Sequence, residues 1–203
     1  MDIQKNINKL CEQCPLMAKG ITLYGIPDME AVDTSFLGMV RTVNSQMLST
    51  ASARTIYNRV LDILPNDTAM GWIAVDRAML RTCGLSDAKI NTLTEVANDI
   101  VNSVLNLDEL TQKSSMEIYD ALIKYKGIGP WTAKGYALTR LQKEDLFLGE
   151  DLGVRDGVQV LLELDDRPSI DFCMDYGQIH WMPYGGTATR LLWHFKEKAK
   201  VAG

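Results

Sequence analysis

The sequence predicts an all-α protein. Three observations carry that expectation. Apolar residues recur at spacings of three and four along most of the chain, the period of a helix with one buried face. Stretches that alternate apolar with polar residues, as strands do, are scarce. Helix starts and stops stand between the periodic stretches: Pro65-Asn66-Asp67, Ser86-Asp87 and Ser114-Ser115-Met116-Glu117.

Taken in order, Phe36, Leu37, Val40, Val43, Met47, Ile56, Tyr57, Val60, Leu61 and Leu64 form one helical run that Pro65-Asn66-Asp67 ends. Ile73 to Leu80 adds a helical turn or two. Gly84 then stops the chain, and Ser86 N-caps a helix carrying Ile90, Leu93, Val96, Ala97, Ile100, Val101 and Val104. Ser114 and Glu117 form a capping box ahead of Ile118, Leu122 and Ile123. Gly127-Ile128-Gly129-Pro130 interrupts, and Trp131 to Leu141 resumes the helix. Asp151 to Leu164 and Thr187 to Lys198 complete the pattern. The total is about eight to ten short helices.

Composition bounds the function. At 203 residues, 46% hydrophobic and 23% charged, the chain has enough apolar surface for a core, in one domain or two small ones. That balance excludes disorder, collagen and coiled coil. No apolar run approaches the ~18 residues of a membrane span. Met1-Asp2-Ile3-Gln4 opens no apolar signal region, so export is not expected. The four cysteines, at 11, 14, 83 and 173, make no dense framework and fit a reducing cytoplasm. Cys11-Glu12-Gln13-Cys14 is half a zinc site with no second half nearby, and His180 and His194 lie far away in sequence.

Charge is uneven. The net value of −5 would repel nucleic acid if it were spread uniformly. Ala121 to Gln142, however, holds Lys124, Lys126, Lys134 and Arg140 with no acid, and Arg41 to Leu61 holds three arginines with no acid. Ten acids collect between Glu144 and Asp175. Within the first basic segment, residues 122–134 read as two helices flanking a turn with glycines two apart. Glycine permits positive φ and a close backbone approach, and Pro130 suits the first helical position. Outward amides at such a turn make an anion site, which is what docking on a phosphate backbone requires. A plain helix–helix turn on a solvated face is the alternative.

Residues 122–133 resemble the helix-hairpin-helix of the DNA glycosylase superfamily that also carries a Gly/Pro-rich loop and a catalytic Asp (HhH-GPD). The nearest resemblance is to bacterial 3-methyladenine DNA glycosylase II, the AlkA type. Three further segments agree in order: Val43-Asn44-Ser45-Gln46-Met47-Leu48-Ser49-Thr50, Leu80 to Lys89 with its Gly-Leu-Ser-x-x-Lys core, and Asp145 to Gly153 ending in Asp-Leu-Gly. The resemblance covers roughly residues 30–198. It implies a single two-lobed glycosylase domain over 1–203. One lobe would span about 36–130, and the other about 1–35 plus 131–203, with the hairpin at 122–134. The mixed α/β domain that precedes this region in the AlkA type does not fit in the residues before the match.

The resemblance also assigns roles. Asp151 matches the catalytic Asp; a fixed anion beside C1′ stabilises charge built up on the deoxyribose and directs water. Asp151 also reads as a helix N-cap. Trp131 stands where lyase relatives carry a Schiff-base lysine, so a monofunctional hydrolase is implied. Trp131 and Trp193 would line the base pocket, an aromatic setting suited to an electron-poor alkylated purine. A further pocket tyrosine of the AlkA type falls on Gly135, with Tyr136 beside it. Met47 would wedge the duplex, and Gln46 would touch the opposite strand. Gly127, Ile128, Gly129, Lys126 and Lys134 would grip phosphate. Where the family has Pro in the loop before Asp151, Leu148-Gly149 stands here.

No cofactor and no iron–sulfur cluster are implied. One sodium or potassium ion is, held by the main-chain carbonyls of Ile123, Tyr125 and Ile128. The expected partner is damaged double-stranded DNA, with no membrane, and the expected state is a monomer. The expected location is cytoplasmic, at the nucleoid in a bacterium, or nuclear in a eukaryote. Excision of alkylated purines such as 3-methyladenine or 7-methylguanine is the reading. A glycosylase for uracil, a T:G mismatch or 8-oxoguanine, and a non-catalytic hairpin module, are the alternatives.

Overall fold

A computed structural model of the protein describes residues 3–28 and 32–202. Every regular element among the described residues is a helix. In chain order these are α1 (Ile3–Gln13), α2 (Pro15–Tyr24), α3 (Phe36–Ser45), α4 (Thr50–Ile63), α5 (Ala69–Ile73), α6 (Arg77–Thr82) and α7 (Asp87–Val101). There follow α8 (Leu107–Leu110), α9 (Ser115–Leu122), α10 (Pro130–Thr139), α11 (Leu152–Leu162), α12 (Ile170–His180) and α13 (Gly185–Ala202). The all-α expectation is met, with thirteen helices rather than eight to ten among the described residues. Spacing alone does not reveal the short α5 and α8 or the helices α1, α2 and α12, and it merges α3 with α4. No helix among the described residues is long and apolar enough to cross a membrane.

The chain divides into two compact units, Met1–Glu30 with Gln142–Gly203, and Ala31–Leu141. In the first, α13 packs on α11, α2 and α1. Leu10, Met17, Val154, Val158, Leu191 and Phe195 are buried there. A Cβ at Gly157 would stand 2.2 Å from the Leu192 carbonyl oxygen, so only glycine lets the α11 and α13 backbones touch. Glu144 secures the start of α13: its carboxylate accepts from the Thr187 amide at 2.7 Å and from Arg190 Nη1 at 2.9 Å. Burial pushes the Arg190 pKa down, and Glu144 pulls it back up.

In the second unit, α7 packs on α5, α3 and α6, while α3 also packs on α4 and α10. Val40, Trp72, Leu93, Val96, Ile118 and Leu122 form its core. Trp72 meets Phe36 edge-on at 5.7 Å and donates Nε1–H to Thr94 Oγ1 at 3.0 Å, so the large ring is buried with its polar atom satisfied. Ser35, Ser49, Thr68, Asp76, Ser86, Asn106 and Ser114 each cap a helix by accepting a first-turn amide. Each cap contributes about 1 kcal/mol. The Ser86 cap and the Ser114–Glu117 capping box are as the sequence predicts.

Three expectations on boundaries are corrected. The single run from Phe36 to Leu64 is broken at residues 46–49, between α3 and α4. Ser49 caps α4 and so restarts the helix, while Met47 leaves the apolar stripe altogether. The helical turns expected over Ile73 to Leu80 are the end of α5 and most of α6, interrupted at residues 74–76, where Asp76 caps α6. The unit boundary falls after Leu141 rather than after residue 130. The reason is that α10 packs on α9 and α3, with Ala133, Ala137 and Leu138 buried.

Candidate active site

In the first unit, buried Phe147 and Leu148 anchor the loop ahead of α11. A Cβ at Gly149 would approach Met174 Sδ to 2.7 Å and Phe147 Cε1 to 2.8 Å. The loop's close seat on α12 thus requires glycine at this position. Asp151 follows, and its amide donates to the Leu148 carbonyl at 3.0 Å. Its Oδ1 accepts the Val154 amide at 3.0 Å and Trp193 Nε1–H at 2.8 Å. The cap and the fixed-anion readings are therefore one arrangement: the N-terminus of α11 favours the negative charge, and the indole fixes its orientation. Gly153 makes room for this. A Cβ there would lie 3.1 Å from both Asp151 Oδ1 and Trp193 Cδ1.

In the second unit, α9 and α10 form the hairpin. Gly127 adopts φ +99°, and a Cβ would fall 2.3 Å from Thr92 Oγ1, so glycine is required twice over. Thr92 Oγ1 donates to the Lys126 carbonyl at 2.6 Å. Gly129 is the N-cap residue of α10 with Pro130 behind it, and no atom lies within 4 Å of a Cβ built there. It presents a bare backbone at the end of a helix whose first amides have no intrahelical partner. Lys124 and Lys126 are exposed beside it. The Ile128 side chain is buried at 3% exposure, so this residue meets a ligand only through its backbone. Tyr125 is anchored by its hydroxyl, which donates to Asp99 at 2.8 Å; burial first, then Asp99, pushes its pKa up. The Tyr125 carbonyl accepts the Ile128 amide at 3.0 Å. Those of Ile123 and Ile128 take no hydrogen bond among the described residues.

Trp131 is 43% exposed on the first turn of α10, with Gly135 under its ring; a Cβ at Gly135 would make an ordinary 3.8 Å contact with the indole. Lys134 is half-buried about one turn along. Tyr136 lies elsewhere: it is fully buried, and its hydroxyl has no hydrogen-bond partner among the described residues. Burial pushes its pKa up. The expectation that Tyr136 offers a surface to a base is corrected, because successive residues on a helix point about 100° apart and this one faces the core.

Met47 is fully exposed at 101%, in a left-handed conformation with φ 56°. A long side chain held there outside the core is a costly arrangement for folding alone. Gln46 is held within the protein. Its Nε2 donates to the Gly127 carbonyl at 2.9 Å and to Thr132 Oγ1 at 2.8 Å, so the amide ties the loop to the hairpin. Beside this loop a cavity of about 510 Å³ lies between α3 and α4, lined by Arg41, Arg54 and polar side chains and by no carboxylate. A second cavity of about 530 Å³ in the same unit carries Asp67, Asp108 and Glu109 and is unsuited to phosphate. Among the described residues no group of three or more His, Cys, Asp or Glu could hold a metal ion.

The structure thus joins Asp151 to Trp193 in one unit, and Gln46 to the hairpin in the other. Gly153, Thr92, Thr132 and Lys89 complete these arrangements without having been singled out. Gly153, Lys89 and Thr132 sit inside the motifs named above; Thr92 carries no sequence signal.

No family model matches the chain. It is 28% identical over 159 residues to DNA-3-methyladenine glycosylase 1 of Schizosaccharomyces pombe, covering 76% of this chain and 69% of that protein. It is 28% identical over 146 residues to the DNA-3-methyladenine glycosylase of Saccharomyces cerevisiae, covering 67% of this chain and 49% of that one, so it spans about half of this relative. The solved structure of the S. pombe 3-methyladenine DNA glycosylase in complex with abasic DNA superposes with a TM-score of 0.80 at 25% identity, over 93% of this chain and 95% of that one. The all-helical fold matches that of helix-hairpin-helix DNA glycosylase structures. Within that fold the chain is similar to 3-methyladenine DNA glycosylases.

Proposed function

We propose that this chain excises alkylated purines, such as 3-methyladenine or 7-methylguanine, from duplex DNA, as a monofunctional glycosylase in base excision repair. The observation that carries the reading is the Asp151 carboxylate, fixed by Val154 N–H and Trp193 Nε1–H. As the C1′–N bond breaks, its electron pair leaves with the base and positive charge grows on the sugar. A fixed anion stabilises that charge and orients water. The water oxygen bonds to C1′, and its proton leaves through the carboxylate. A base made cationic by alkylation departs neutral, so no acid need protonate it. The exposed Trp131 indole supplies a stacking face for such a base.

Damaged double-stranded DNA is the partner in this reading. Lys124 and Lys126, the bared Gly129 and the first amides of α10 hold its phosphates, and exposed Met47 enters the stack. The carbonyls of Ile123, Tyr125 and Ile128 would hold a sodium or potassium ion, which would add positive charge where phosphate docks. The test is a lesion panel in duplex DNA, containing 3-methyladenine, 7-methylguanine, uracil, a T:G mismatch and 8-oxoguanine. Release confined to the alkylated purines supports the proposal. Release of uracil, thymine or 8-oxoguanine in preference to them would overturn it.

A further inference from the structure

We infer that Lys89 is a positioning residue, whose ammonium holds the loop after α3 in the shape that thrusts Met47 outward. Lys89 Nζ donates to the Asn44 carbonyl at 2.7 Å and to the Gln46 carbonyl at 3.0 Å. These carbonyls stand at the C-terminus of α3, where the last acceptors lack intrahelical partners and a cation suits the helix dipole. Between Lys89's two acceptors and α4 the chain must place Met47 at φ 56°, a conformation that L residues rarely adopt. Nothing packs on the Met47 side chain to enforce it, since that side chain is fully exposed. The backbone on its N-terminal side is what Lys89 grips.

Lys89 does not act alone on α7. Thr92, three residues on and therefore on the same helix face, donates to the Lys126 carbonyl at 2.6 Å. Gln46 closes the triangle with its bond to the Gly127 carbonyl at 2.9 Å. The hairpin and the Met47 loop are thus both strapped to α7 and to each other. A duplex held by the hairpin then meets Met47 at a fixed offset. Desolvation pushes the Lys89 pKa down, in keeping with an ammonium that has exchanged water for these carbonyls.

The inference rests on the proposed excision reading for its consequence, but not for its first test. In the protein without DNA, Lys89→Met keeps the apolar stem and removes the donors. The Gln46 and Leu48 amides, bonded to Val43 and Ser45 carbonyls at 3.3 Å each, should then exchange with solvent about tenfold faster, while Leu93 within α7 is unchanged. Lys89→Arg, which keeps donors, should stay near the wild type. In single-turnover excision, Lys89→Met should lose about as much as Met47→Ala, and the double variant should lose no more than either. Unchanged loop exchange, exchange rising equally throughout α7, or additive losses in the double variant would each overturn the assignment. A wild-type protein that released no alkylated base would refute the proposed function instead, and the exchange experiment would still decide the role of Lys89.

Discussion

Asp151 Oδ1 accepts two N–H donors, one from the helix that Asp151 caps and one from the Trp193 indole. The second bond is charge-assisted and fixes the carboxylate's plane, so it matters for chemistry more than for folding. Trp193→Phe keeps the ring and removes the donor. It should slow single-turnover base release about tenfold, the equivalent of about 1.4 kcal/mol, and leave affinity for abasic-site DNA unchanged. An unaltered rate with weaker DNA binding would make Trp193 a contact residue only. Asp151 was legible in the sequence because it closes a Gly/Asp-rich motif. The Trp193 bond was not, because it depends on how closely α11 and α13 approach. That approach is set by Gly157 and Gly153, whose role appears only when a missing Cβ is measured against Leu192 and Trp193.

Helices whose apolar residues face a core, such as α7, and helices with polar caps, such as α9, were readable from spacing and capping alone. The α12 helix was not, because Ile170, Phe172, Met174 and Ile179 are exposed and blur the period. The break at residues 46–49 was hidden for the opposite reason: Met47 completes an apolar spacing that the structure does not use. Its exposure leads to a prediction. Met47→Ala should leave the melting temperature unchanged and reduce excision more than it reduces binding to DNA with an abasic site, which needs little help to open. Equal losses on both would deny it a wedging role. The two hairpin glycines should likewise part company. Gly127→Ala meets both a positive φ and Thr92, and should lower unfolding free energy by about 1–3 kcal/mol in a denaturant titration. Gly129→Ala meets no protein atom within 4 Å and should fold normally. It should weaken binding to damaged and undamaged duplexes alike if the hairpin, as proposed, holds phosphate rather than bases. Normal duplex affinity in Gly129→Ala would reduce the hairpin to a turn.

Across the molecule, a net charge of −5 coexists with acid-free basic stretches around the hairpin and from Arg41 to Leu61, and the acids collect between Glu144 and Asp175. That segregation was visible in the sequence; the seat of α10 in the second unit was not, since it depends on tertiary packing rather than on local pattern. The same position that denies lyase chemistry, Trp131 at the start of α10, predicts the product. An indole cannot form a Schiff base, so in the proposed reading water is the nucleophile and the strand should stay whole. The most direct measurement is a single-turnover assay on duplex DNA bearing 3-methyladenine, following free base and strand integrity together, with Asp151→Asn alongside. The wild type should release the base and leave an unbroken strand with an abasic site. Borohydride should trap no adduct, and Asp151→Asn should bind the duplex yet release almost nothing. Equal release by Asp151→Asn, or a trapped adduct with a nicked strand, would contradict a hydrolytic glycosylase built on Asp151.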